Sequence, residues 1–380
     1  MKSAKTFFLL VLFLSTIAGI VVTGCGRRVD AWRPGLPMNV EKIKVGVLYP
    51  SDPFSEPSGF CHEHHEGIKA MQKALALADD QLLVRVDVLE TDQAAIEYNA
   101  RELVLAGAHV IFGASGEYMP VFEELAAEYP DRIFLHANGY KYNDTNFSNY
   151  YGRIHQARYL SGIVAGLRTR TNKVGFVAAM GMENSQVSSG LDAFAMGVES
   201  VNPKARVYVR VVHNWFDPAI EALNARLLIE DGCDVITHHT DTPAPLEEAQ
   251  RAGVWAIGFN SDMSHEAPEA VMTSVVWHWD VYYTYLMKSV LDGTFSTIPY
   301  FGGIQEGLVG LSPLNEKLAA PGTAEAVAAA ERRMRDDGFN VFDGVMETND
   351  GRRVGTAGGA FTNVMIMRDV TWYYRNVILR

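Results

Sequence analysis

The one metal-like cluster in the chain is Cys61-His62-Glu63-His64-His65-Glu66. On a helix, His62 and Glu66 stand one turn apart and could share a divalent ion. The competing reading is the exposed polar first turn of a helix. It is favoured because no second ligand group recurs at comparable spacing, and His238-His239 would have to be recruited from a distant part of the fold. There is no Gly-Lys-Ser/Thr phosphate loop, no nucleophile elbow and no Cys-x-x-Cys, so the usual kinase, hydrolase and redox signatures are missing. The expectation is a protein without resident metal or cofactor that binds rather than transforms. A metal-assisted hydrolase built on His62 and Glu66 is the enzymatic alternative.

Two aromatic residues carry a different chemistry. Phe60 ends the loop that begins at Ser51, and Trp215 lies in His213-Asn214-Trp215-Phe216-Asp217. Either ring alone fits a hydrophobic core equally well. If both face one cleft they would stack on a flat heteroaromatic ligand, each adding about 0.5–1.5 kcal/mol beyond its apolar burial.

The elements that must position these residues alternate strictly. Short apolar runs at residues 44–49, 83–89, 109–113 and 133–136 read as buried parallel strands, with helices expected around Gly67–Ala78, Ala94–Leu105 and Val121–Glu128 between them. A second series of strands follows at 173–178, 206–212, 234–237 and 254–258. Two doubly wound α/β lobes are the expected fold class. An internal repeat supports them. Asp92, Asn99-Ala100-Arg101, Gly107, Val110-Ile111 and Ser115-Gly116 recur at identical spacing as Asp217, Asn224-Ala225-Arg226, Gly232, Val235-Ile236 and Thr240-Asp241. In each copy the aspartate should cap a helix N-terminus, and the glycine should end the helix in a left-handed conformation before a strand begins. Ser115-Gly116 and Thr240-Asp241 then become equivalent loops at the carboxyl ends of strands, where open α/β sheets bind ligands.

The N-terminus sets the compartment. Lys2 and Lys5 precede an apolar run from Phe7 to Val22, and Val22-Thr23-Gly24 leads into Cys25. This resembles a bacterial lipoprotein signal, which implies residues 1–24 as signal peptide, acylation of Cys25 and a tether over 25–40. The alternative, an uncleaved signal anchor, suits the run poorly because it is short for a membrane span. The formal net charge of -12 becomes -14 without Lys2 and Lys5, a balance that argues against a nucleic-acid partner. Beyond Cys25 only Cys61 and Cys233 remain, too few for a disulfide framework.

Further motifs occur in an order that resembles the basic membrane lipoprotein (BMP) family of ABC-transporter substrate-binding proteins: Gln156-Ala157-Arg158-Tyr159-Leu160-Ser161-Gly162, Trp215-Phe216-Asp217-Pro218, Ala256 to Asp262, Thr273-Ser274-Val275-Val276 and Val341-Phe342-Asp343-Gly344. The resemblance implies a type I periplasmic-binding-protein fold with three hinge crossings. One lobe would comprise 41–152 plus 277–303 and the other 153–276 plus 304–380, with hinges near Gly152-Arg153, Thr273–Trp277 and Gly302–Glu306. It also implies a purine nucleoside or base as ligand. Phe60 and Trp215 would stack on that ligand, Asp52, Ser115 and Gly116 would lie at the base edge, and Asp241 would accept from a ring N–H or amine. Where nucleoside-binding members place an Asp and a Lys on the ribose, this chain has Asn260 and Trp277, which favours a free base such as adenine. The implied partners are an ABC permease and ATPase, with the membrane touched only through the lipid anchor. The protein is expected to be an exported monomer. A lipid-anchored sensory receptor and a metal-dependent nucleoside hydrolase are the rival functions.

Overall fold

The structure, a computed structural model, describes residues 32–55 and 58–380. The expected signal peptide and the lipidation site Cys25 lie outside the described residues. Residues from Arg33 onward form a single compact unit. The latter part of the expected tether is docked: the Met38 N–H donates to the carbonyl of Leu291 at 3.0 Å, and Met38 is buried.

In chain order the first half runs β1 (Val45–Leu48), α1 (Phe60–Ala74), β2 (Leu82–Arg85), α2 (Gln93–Leu105), β3 (Val110–Gly113), α3 (Met119–Glu128), β4 (Ile133–Ala137) and β5 (Phe147–Gly152). The second half continues with α4 (Ile154–Arg168), β6 (Lys173–Ala178), α5 (Ser185–Val201), β7 (Arg206–Val211), α6 (Pro218–Glu230), β8 (Val235–His239), α7 (Ala244–Ala252), β9 (Trp255–Asn260) and β10 (Val271–Trp277). Then come α8 (Trp279–Asp292), β11 (Tyr300–Gly302), β12 (Val309–Leu311), α9 (Thr323–Asp336), the hairpin of β13 (Asp343–Glu347) and β14 (Arg353–Ala360), α10 (Asn363–Arg368) and β15 (Val377–Leu379). One sheet has the order β11-β5-β4-β3-β1-β2 and the other β12-β10-β9-β8-β6-β7-β15. Every pairing within them is parallel except β10 with β12. Strands such as Val45–Leu48 and Val110–Gly113 are buried along their whole length, which explains their continuous apolar runs.

The chain passes between the sheets three times. It leaves the first after β5 at Gly152-Arg153, returns after β10 as α8 packs on α1, and leaves again between β11 and β12. Trp277 closes β10 within the second sheet, one residue beyond the boundary read from the sequence. The crossings touch one another. The Arg153 N–H donates to the Gly302 carbonyl at 2.7 Å, Arg153 pairs with Glu306 at 3.0 Å, and a Cβ at Gly152 would fall 2.2 Å from the Trp277 ring.

Both repeat units form as their local chemistry dictates. Asp92 accepts from the Ala95 N–H at 3.0 Å and Asp217 from the Ile220 N–H at 3.1 Å, and Gly107 and Gly232 both have φ of +92°. A closer packing constraint lies between α4 and α5. A Cβ on Gly197 would stand 2.1 Å from the Tyr159 carbonyl oxygen, and one on Gly162 would stand 2.1 Å from that of Phe194. Gly→Ala within a helix normally gains up to about 1 kcal/mol. Here backbone meets backbone and the helices must separate, so overpacking of about 1–3 kcal/mol wins. Gly197→Ala is expected to lower the urea midpoint, and a midpoint at or above wild type would refute this close approach.

Candidate functional site

The carboxyl ends of the strands of both sheets converge on a cavity of about 310 Å³, at the small end of the roughly 300–1,000 Å³ usual for small-molecule sites. The first lobe contributes Phe60 at the start of α1, Glu90 after β2, Ser115 and Gly116 after β3, Asn138 after β4 and Tyr151 of β5. The second lobe contributes Asn184 and Gln186 around the start of α5, Asn214 and Trp215 after β7, His239 and Asp241 at the end of β8, Phe259 and Asn260 of β9, and Trp277 of β10.

Seven of the eight residues expected to touch ligand therefore meet in one cavity: Phe60, Ser115, Gly116, Trp215, Asp241, Asn260 and Trp277. Asp52 is the correction. Its carboxylate accepts the Phe54 N–H at 2.9 Å, and its carbonyl accepts the Ser55 hydroxyl at 3.0 Å. One of its carboxylate oxygens closes a local turn, and Pro50 and Ser51 rather than Asp52 line the cavity. Asn260 is also altered in meaning. The Trp277 indole N–H donates to Asn260 Oδ1 at 3.3 Å, and Asn260 Nδ2 donates to Asp241 Oδ1 at 2.8 Å. Its amide holds other site residues in place.

Trp277 is fixed from two sides. Its ring stacks on Trp279 at 4.7 Å and 16°, and Gly152 leaves no room for it to retreat. Trp279 in turn stacks on His64 at 4.1 Å and 20°. This overturns the reading of residues 61–66 as an exposed polar turn. His64 and His65 are buried, with Nδ1 of His64 2.6 Å from the Tyr283 hydroxyl and Nδ1 of His65 3.3 Å from that of Tyr49. His62 Nδ1 lies 3.2 Å from the Pro53 carbonyl. Among the described residues no three His, Cys, Asp or Glu side chains are grouped to hold a metal ion.

Several lining residues escaped the sequence reading. Glu90 accepts from the Ser115 hydroxyl at 2.5 Å. Burial raises its pKa above the ordinary carboxylate value, against the lowering effect of that hydrogen bond. His239 is neutral: burial, then Arg158, then His238 drive its pKa well below the usual imidazole value. Arg158 is fully buried behind it, 4.0 Å from the Phe259 ring centre, and donates to the His238 carbonyl at 2.8 Å. The only available signal for Glu90 and His239 was their place at strand ends. Asn138, Asn184, Gln186, Asn214 and Phe259 were missed as well. Together these groups offer ring faces, amides and carboxyls around a small volume, which suits reversible capture of a polar, flat molecule.

A family model described as "ABC transporter substrate-binding protein PnrA-like" (Bmp) matches residues 42–335. The chain belongs to the Bmp family. A purine-binding protein of Brucella abortus is 33% identical over 90% of this chain and 91% of its own. A putative ABC transporter glucose-binding protein of Haloferax volcanii is 35% identical over 62% of this chain and 59% of its own length. Among solved structures, a transcriptional activator of the comK gene from Bacillus halodurans superposes with a TM-score of 0.68 at 22% identity, covering 78% of this chain and 99% of that one. An ABC transporter solute-binding protein from Conexibacter woesei superposes with 0.65 at 19% identity, covering 78% and 98%. The fold is the type I periplasmic-binding-protein fold. As a Bmp substrate-binding protein the chain binds a small molecule without transforming it, serves an ABC permease and ATPase, and works on the periplasmic or extracellular side. Among the described residues no helix is long and apolar enough to cross a membrane.

Proposed function

We propose that this Bmp protein is anchored by a lipid on Cys25 and delivers a purine nucleobase, adenine or a close relative, to its importer. The observation that carries the reading is the pairing of an aromatic ring from each lobe, Phe60 and Trp215, in a cavity whose wall is filled by the immobilised indole of Trp277. Ser115, Gly116 and the neighbouring Glu90 serve the base edge, and Asp241 faces the same volume from the second lobe. A ribose would need room and hydroxyl partners. Trp277 takes the room, and the Asn260 amide is already bonded to Trp277 and Asp241. The lobes hinge at the three crossings, and a ligand that touches both favours the closed form by its differential affinity. The purine-binding relative supports this ligand class. A sugar is the second reading, favoured by the glucose-binding name of the other relative and by the suitability of aromatic rings for stacking on sugars.

A thermal-shift panel separates them, because a ligand at about 100 times its dissociation constant adds roughly 2.7 kcal/mol of stability. Adenine is expected to raise the melting temperature by several degrees, adenosine by clearly less and glucose not at all. Stabilisation by glucose alone would reject the purine reading, and equal shifts with adenine and adenosine would reject the exclusion of ribose.

A further inference from the structure

Asp241 has a set of partners that a ligand contact alone does not require. Across the cleft, the N–H of Phe60 donates to its Oδ1 at 3.3 Å. Phe60 is the first residue of α1, a 15-residue helix whose N-cap, Gly59, has no side chain to satisfy the exposed amides. A carboxylate at that end is favoured both by the unpaired N–H groups and by the helix dipole. The partner here comes from the opposite lobe, 181 residues away in sequence. On its own side, the Asp241 backbone N–H donates to the Trp215 carbonyl at 2.9 Å. The same Oδ1 also receives Nδ2 of Asn260, whose Oδ1 receives the Trp277 indole N–H. Asn260 adopts a left-handed φ of +73°, a conformation that costs energy and persists only where the surroundings hold it.

One residue thus joins both aromatic segments of the cavity: its carboxylate holds the Phe60 backbone and the amide that braces the wall, and its own backbone N–H holds the Trp215 carbonyl. We propose that Asp241 is a positioning residue: it fastens the two lobes on closure by capping α1 across the cleft, and so sets the gap between Phe60 and Trp215. The inference rests on the two-lobe capture mechanism proposed above but not on the identity of the ligand.

The test compares wild type, Asp241→Ala and Asp241→Asn as full-length mature protein. Small-angle X-ray scattering, with and without adenine, reads lobe closure, and calorimetry reads affinity. Asp241→Ala removes the acceptor of two hydrogen bonds to a charged group and is expected to weaken adenine binding roughly 10- to 100-fold. Its scattering at saturating adenine should stay more extended than that of wild type. Asp241→Asn keeps an oxygen for the same donors and should recover most of the contraction. If Asp241→Ala binds more weakly yet contracts like wild type, Asp241 is an ordinary ligand contact and the inference fails. Wild type that does not contract with adenine would sink the purine reading. The latch would then be judged on the ligand-free curves, where identical profiles for wild type and Asp241→Ala overturn it.

Discussion

Trp215→Ala should lower adenine affinity by about 100-fold or more while leaving the fold intact. The indole lines the cavity and is only half-buried, lying in the loop between β7 and α6. Its removal from a bound complex forfeits about 2–3 kcal/mol of apolar burial together with about 0.5–1.5 kcal/mol of stacking. Trp215→Phe keeps a ring face and should stay within about tenfold of wild type. Calorimetric titration measures both, and circular dichroism checks the fold. An alanine variant that binds adenine like wild type would remove this ring from the site and leave the flat-ligand argument resting on Phe60 alone.

The second large effect is on stability in acid. Burial pushes His64, His136, His155 and His238 down to about 3, with Arg153 and Arg158 adding to the effect at His155 and His238. The unfolded chain takes up these protons below about 6.5, whereas the folded chain does so only near 3. Each histidine therefore contributes stability that is present above about 6.5 and lost on the way down, at up to about 1.4 kcal/mol per pH unit. Buried carboxyls act in the opposite sense. Burial, then Glu66, raises Glu63 to about 8, and burial also raises Glu90, Glu221 and Asp192. Their contribution is present below the usual carboxylate value of about 4.5 and lost as pH rises through their folded values. Between about pH 4.5 and 6.5 the two sets partly offset each other. Below about 4.5 those buried carboxyls are protonated in both states and no longer offset the four histidines, which together give up to about 5 kcal/mol per unit against a typical total of about 5–15 kcal/mol. Glu128, Glu183 and Asp350, held low by hydrogen bonds, lose their contribution in the same direction. Urea midpoints measured from pH 7.5 to 3.5 should therefore break sharply near 4.5. A slope below that point no steeper than a single histidine provides would contradict the assignment.

Those histidines also show where the sequence was hard to read. The helix expected at Gly67–Ala78 is observed at Phe60–Ala74, because its first two turns look hydrophilic. His64 and His65 are buried by aromatic partners from α8 and the loop after β1, which a count of apolar residues does not register. Gly67, which looks like a helix start, lies inside the helix, where a Cβ would come 2.5 Å from that of Trp279. By contrast, the strand at Lys173–Ala178 and the capped helices behind Asp92 and Asp217 were fully legible, since their determinants are local. The two repeat loops were legible for the same reason. Glu90, Asn138, Gln186 and His239 were not, because only the convergence of strand ends from two sheets gives those polar residues a common neighbour. Asp52 lies just outside the cavity lining, where its carboxylate closes a turn that the sequence does not announce.

The threading of the chain between the sheets bears on when the molecule becomes a protein at all. β15, at Val377–Leu379, lies beside β7, which begins at Arg206, and β11 near residue 300 completes the sheet begun at residue 45. Neither sheet can close its edge from a nascent stretch of its own half, and contacts of such long sequence separation form slowly. A chain made from its N-terminus therefore leaves both sheets short of an edge strand until its far segments emerge.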